Sequence, residues 1–234
     1  MTELFNEWMP NVIAYLDKFS DSCAATVQMF LIAGAFTFVF GFLFGVILTT
    51  TRKDGIAPNK VLFTCVDIFT NIFRSIPFVI LLIFLIPFTR TLVGTAVGVK
   101  GAIVPLVFGA TPFYTRQIES ALATVDEGKV EAARSMGSGT LGIIFRVYIK
   151  ESVPEVIRAT TITAISLIGL TTMAGAVGAG GIGSFAINYG QNLHHQDIVN
   201  VCVLLLVCVS LIQIVGNTLA KETTNKALFT HKTK

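Results

Sequence analysis

The sequence predicts an all-α integral membrane protein with about five transmembrane helices, and three observations carry that prediction. Charged residues make up only 13% of the 234-residue chain and apolar ones 53%, against about a quarter charged in ordinary soluble domains. Residues 22–51, 159–196 and 198–220 contain no Asp, Glu, Lys or Arg. Each run can supply the roughly 20 apolar residues a membrane helix needs. Lipid tolerates only helices or closed barrels, and the alternating short strands that mark a barrel do not occur. With a mean hydropathy of +0.74, so few charges could not cover the surface of a soluble domain this size.

The elements follow in chain order. Residues 1–21 form an N-terminal extracytoplasmic segment. Its "LFNEWMPNVIAYLDKFS" is apolar on one side but too short and too charged to span, and reads as an interfacial helix lying on the membrane. It lacks the basic start and small-residue cleavage site of a signal peptide. Residues 22–222 hold the spans: about 24–50; about 62–88, with Asp67 and Arg74 inside it; about 102–123, with Arg116 in its later half; about 156–174; and about 199–220. Residues 223–234 are a tail. Most of the 17 basic residues fall on one side if the "TRKDGIAPNK" segment, the central stretch and the tail are cytoplasmic. The positive-inside rule favours that choice. It places the N-terminus outside and the C-terminus inside. The net charge of +3 therefore speaks of topology. No basic run is long enough to suggest nucleic-acid binding.

Residues 124–155, between spans three and four, read as two short cytoplasmic helices joined at "GSG", residues 137–139. In the second, Leu141, Ile144, Phe145 and Tyr148 follow the i, i+3, i+4, i+7 rule and predict one apolar face. Such a stripe in a cytoplasmic loop suggests a docking surface for a soluble partner.

"EAARSMG", residues 131–137, resembles the EAA motif of ABC-importer permeases, with Glu131, Ala132, Ala133 and Gly137 at the motif positions. The usual Leu-Pro ending is replaced by Ile149-Lys150, with Pro154 as a nearby break. "NIFRSIPFVILL", "IPFTR" and "GAVGAGGIG" extend the resemblance to the permease subunits of methionine ABC importers, over most of the chain. The resemblance implies the five-helix core of type I importers and a multi-pass place in the bacterial inner (cytoplasmic) membrane. It implies a homodimer with two ABC ATPase subunits below and a substrate-binding lipoprotein outside. Its cargo is L-methionine and D-methionine. Ala132 and Ala133 are small enough to enter a groove, Glu131 can pair with a basic residue of the ATPase, and Gly137 permits the turn.

Other candidates follow span by span. Arg74 fits a cavity or gate role on the transport path, or a structural role satisfied by helix-end carbonyls where "RSIP" kinks the span at Pro77. Asp67 lies on roughly the same face, near the cytoplasmic interface. "GAGGIG" formally matches G-x-G-x-x-G, but no strand precedes it. Gly178, Gly180, Gly181 and Gly183 instead make a close-packed turn at the outer mouth, facing the binding protein. Met173 is either a pore plug or a packing methionine. Thr160, Thr161, Thr163 and Ser166 either bond their own helix carbonyls or wet the cavity. His194 and His195 lack further metal ligands nearby and suit a loop. Cys23, Cys65, Cys202 and Cys208 have no ligand spacing and suit packing.

No G-x-x-x-x-G-K-[ST] phosphate loop is present, so the chain binds no cofactor for ATP hydrolysis and is no enzyme by that means. ATP and magnesium belong to the partner ATPase. The competing readings are an ion-coupled secondary transporter, which calls for mid-depth acids and an internal repeat, a membrane enzyme with convergent polar groups, and the same permease architecture with another amino acid or small solute as cargo.

Overall fold

The computed structural model describes residues 9–207 together with 209 and 211, and among them every regular element is helical. The first residues of the N-terminal segment, the side chain of Cys208, the end of the expected fifth span and the tail lie outside the described residues. The helices are α1 (Pro10–Ala14), α2 (Leu16–Thr51), α3 (Lys60–Ser75), α4 (Phe78–Phe84), α5 (Ile86–Val93), α6 (Gly98–Leu122), α7 (Glu127–Ser135), α8 (Thr140–Ile143), α9 (Val153–Ala174) and α10 (Gly181–Phe185). A further apolar helix, α11, covers Gln196–Val207.

α2 is long and apolar enough to cross a membrane, as is α9 with the turn that follows it. At 1.5 Å per residue, the 36 residues of α2 extend about 54 Å, well beyond the roughly 30 Å hydrocarbon layer. It therefore runs past both ends of the expected first span. The expected second span, 62–88, is not one helix. It divides into α3, α4 and the start of α5 because Pro77 and Pro87 each remove a backbone donor and crowd the preceding turn. α5 and α6 meet at a 119° bend, at Gly94, whose φ of 79° closes α5.

The chain forms two compact units. The first contains the described residues up to Ala35, Ile76–Gly109 and those from Ile165 onward. Its core gathers Val12, Ile182, Phe185, Ile198 and Cys202, with Cys23 beside it. Rings of Phe19, Phe185, Tyr189 and Tyr15 pack in succession, with centroids 5.5, 5.1 and 4.8 Å apart. α1 packs into this unit. Val12 is buried, the Asn11 backbone N–H donates to an Asp197 carboxylate oxygen over 2.9 Å, and the Asn11 side chain donates to the other oxygen over 3.0 Å.

The second unit contains Phe36–Ser75 and Ala110–Ala164. α2 and α6 touch here through small residues. A Cβ on Gly41 would stand 2.7 Å from Cδ1 of Tyr114, and one on Gly45 2.5 Å from Cγ2 of Ile118. This four-residue glycine spacing lets membrane helices approach backbone to backbone. The core continues from Tyr114, Ile118 and Leu122 into Val130, Ala133, Ile143 and Tyr148, so the segment 124–155 folds onto the end of the same helices.

Candidate functional site

The segment 124–155 is built from local signals. Asp126 caps α7 by accepting from the Lys129 backbone N–H over 3.3 Å. Within α7 the helical period turns Val130 and Ala133 inward and leaves Glu131 and Ala132 outside. Ala133 is therefore a core residue and does not face a partner, contrary to the expectation for it. α7 ends in a Schellman motif: the Gly137 N–H donates to the Arg134 carbonyl and the Ser138 N–H to the Ala133 carbonyl, both over 3.0 Å. Gly137 takes φ 78°, the left-handed conformation that closes such a cap.

The second helix departs from the expected stripe. α8 widens into a π-turn over Ile144–Tyr148, and across a wider turn seven residues no longer return the chain to the same side. Tyr148 is buried with Ile143, while Leu141 and Phe145 are 70% and 66% exposed. Met136, at 78%, adds a third exposed apolar side chain. The helix closes at Ser152, whose hydroxyl donates to the Tyr148 carbonyl over 2.6 Å. Pro154 then sits in the first turn of α9.

Three contacts that the sequence did not signal fasten α7. Arg134 donates to the Ile56 carbonyl over 3.0 Å, Lys129 pairs with Glu151, and Arg52 pairs with Glu127 over 3.4 Å. A second polar cluster joins α3 and α6. Arg116 donates to Asp67, to Asn71 over 2.9 Å and to Glu119 over 2.7 Å. Arg116 and Asp67 were visible as charges inside two expected spans, but their pairing was not. Arg74 is exposed in the last turn of α3 and has no hydrogen bond or ion pair among the described residues. The helix-end carbonyls do not satisfy it.

Along α9, Ser166, Gly169 and Met173 fall on one exposed face. Met173 borders a cavity of about 320 Å³ with Ile165, Ile168, Thr172, Leu206 and Val209. Thr160, Thr161 and Thr163 donate to carbonyls four residues back over 2.8–2.9 Å, the first of their two expected roles. Thr160 also shares a 2.8 Å hydrogen bond with the Tyr114 hydroxyl.

After α9 the glycine turn opens through a π-turn at Gly175–Ala179. A Cβ on Gly183 would stand 2.0 Å from the Thr172 carbonyl oxygen, and one on Gly181 2.6 Å from the Thr26 hydroxyl. Gly181 and Gly183 are buried packing positions, Gly180 is half-buried and Gly178 is exposed. The surface this turn offers is therefore Ala176, Val177 and Gly178, and Gly181 and Gly183 cannot reach a partner. His194 and His195 follow in a turn, as expected, His194 with φ 58°.

Comparison with known proteins adds to this geometry. The model of the family described as binding-protein-dependent transport system inner membrane component matches residues 38–221. A probable D-methionine transport system permease protein MetI of Vibrio cholerae is 44% identical over 198 residues, 84% of this chain and 88% of its own length. The methionine import system permease protein MetP of Bacillus subtilis is 46% identical, over 73% of this chain and 78% of its own. The inward-facing MetNI methionine ABC transporter superposes with a TM-score of 0.84 at 41% identity, over 89% of this chain and 97% of the matched one. The chain thus belongs to the family of binding-protein-dependent transport system inner-membrane components, as an ABC-transporter permease with the type I importer fold.

Proposed function

We propose that this chain is the permease subunit of an ATP-driven importer that carries L-methionine and D-methionine into the bacterial cell. It works as a homodimer in the inner membrane, its N-terminus outside and its C-terminus cytoplasmic. Two ATPase subunits bind ATP and magnesium and dock on residues 124–155. A substrate-binding lipoprotein delivers cargo to the outer face near the glycine turn.

The observation that carries this reading is the capped helical hairpin itself. Its inner side, Val130, Ala133, Ile143 and Tyr148, is continuous with the core of the spans. Its outer side presents Glu131, Ala132, Met136, Leu141 and Phe145 to solvent. An exposed apolar patch rimmed by charge, rigidly joined to membrane helices, suits the transfer of a partner's motion. Ser166 and Met173 border the path on α9. The methionine named for the relatives, at above 40% identity over most of both chains, supports methionine as the cargo.

The test is uptake by vesicles holding the permease, its ATPase and its binding protein, with labelled L-methionine, D-methionine, histidine and glutamine offered separately. ATP-dependent uptake of both methionine enantiomers is expected. Uptake of another amino acid in place of methionine would move the cargo and keep the architecture. An assembled complex that moves none would overturn the importer reading.

A further inference from the structure

We infer that the polar stripe of α3 lines the aqueous path through the membrane, and that Arg74 on it receives the carboxylate of the cargo during translocation. This rests on the importer reading above. The polar residues of α3, Thr70 and the terminal Ser75 apart, fall in one row: Lys60, Thr64, Asp67, Asn71 and Arg74, spaced four, three, four and three residues apart. Thr64, Asn71 and Arg74 are exposed and Asp67 is half-buried. The row lies beside the side of Val66 and Thr70, which packs α3 into its unit; its middle, Asp67 and Asn71, reaches Arg116 on α6, and Thr64 and Arg74 on either side of that contact are left open. The apolar exposed side is a third one, carrying Val61, Ile68 and Ile72. That side suits lipid. The charged row does not, because charged side chains in a span face a wet cavity or a protein partner.

The charges on this row are unequally served. Asp67 and Asn71 both bond Arg116, which also bonds Glu119, so that cluster is closed on itself. Arg74 is left as a cation with no anion among the described residues. It lies about 21 Å along the helix from Lys60, at 1.5 Å per residue. The wholly apolar "FVILLIF" of α4 comes after it beyond a 107° bend, and α3 and α4 together are long and apolar enough for one broken span or a re-entrant loop. α3 stops one residue after Arg74, and helix resumes only at Phe78. Irregular backbone at membrane depth persists only where protein buries it or water borders it, and Pro77 in this gap is exposed. The polar row and the helix break therefore point independently to water at one place. A hydrated, unpaired guanidinium there offers a planar fork of donors that matches a carboxylate bidentately. An amino-acid zwitterion brings one such carboxylate.

Two experiments on the complete complex in lipid bilayers test this. In a background with all four native cysteines replaced by serine, single cysteines at Thr64, Ile68, Ile72 and Arg74 are exposed to a small charged methanethiosulfonate. Positions 64 and 74 should react at least about tenfold faster than 68 and 72, because only hydrated thiols ionise and react. Slow reaction at 64 and 74, or spontaneous cross-linking of Arg74→Cys between two copies, would overturn the wet path. In the native background, Arg74→Gln should lower methionine uptake about tenfold or more, the loss of one charge-assisted contact, with ATPase co-purification intact. Arg74→Lys should recover a large part of it. Unchanged uptake in Arg74→Gln, or an equal loss in both variants, removes the carboxylate role. A wild-type complex that fails to import methionine would sink the importer reading instead and leave the labelling pattern as it is.

Discussion

The guanidinium of Arg134 reaches back from α7 to the main-chain carbonyl of Ile56 over 3.0 Å. It ties the segment that carries Glu131 to the loop between α2 and α3. On the proposed docking, a push on α7 would reach the loop that joins two membrane helices as well as run along the chain into α9. Arg134→Ala should loosen this tie at a cost of about 1 kcal/mol. The ATPase should still co-purify, while uptake per ATP hydrolysed should fall. A normal uptake-to-hydrolysis ratio would show that the tie transmits nothing.

Gly137 stands at φ 78° with no atom within 4 Å of where a Cβ would lie. Any penalty there is backbone strain alone. Gly137→Val should cost about 1–3 kcal/mol and sharply lower uptake, whereas Gly137→Asn, which tolerates this conformation better, should retain more. Glu131→Lys should weaken ATPase docking by about 2–5 kcal/mol if the contact is partly desolvated. Measurements of ATPase co-purification and uptake check both. If Gly137→Val and Glu131→Lys together leave them unchanged, residues 124–155 are not the coupling loop.

Orientation is decided by labelling in intact cells. A cysteine at Asn192, exposed in the turn after the glycine region, should react with an impermeant thiol reagent added outside. One at Ser138, in the joint of the hairpin, should not. The reverse pattern inverts the topology and takes the ATPase docking site with it.

Met173→Ala enlarges the cavity that Met173 borders. In vesicles it should raise ATP-independent methionine leak several-fold and leave assembly intact. Leak equal to that of the wild type would make Met173 a packing residue.

Asp197, just ahead of the expected fifth span, holds its carboxyl below the ordinary value. Burial pushes it up, and the hydrogen bonds from the Asn11 side chain and backbone, with those from the Ile198 and Asp197 N–H groups, outweigh that push. A lowered folded value means that this stabilisation is present above about pH 4 and is lost as pH falls through the lowered value. Thermal melts of the purified chain should therefore drop on acidification below about pH 4. Asp197→Asn should melt lower at neutral pH and show a smaller acid shift. Identical acid shifts in the two proteins would detach the α1 clasp from stability.

Membrane class, the apolar helices at the first and fourth expected spans and the two-helix form of residues 124–155 were legible in the sequence. Their causes are local. Apolar transfer is summed along a helix, Asp126 caps the residues next to it, and Gly137 relaxes its own backbone. Tertiary structure decided what depends on which distant residues meet. It turned Ala133 inward and Leu141 and Phe145 outward, because the face a short helix buries is set by the helices beneath it and by the π-turn at residues 144–148. It split the expected second span at Pro77, where the sequence suggested only a kink. It paired Asp67 with Arg116 across 49 residues and clasped Asn11 to Asp197 across 186. Charge and hydropathy along the chain carry no term for such pairings, since their energy exists only once packing has brought the partners within a few ångströms.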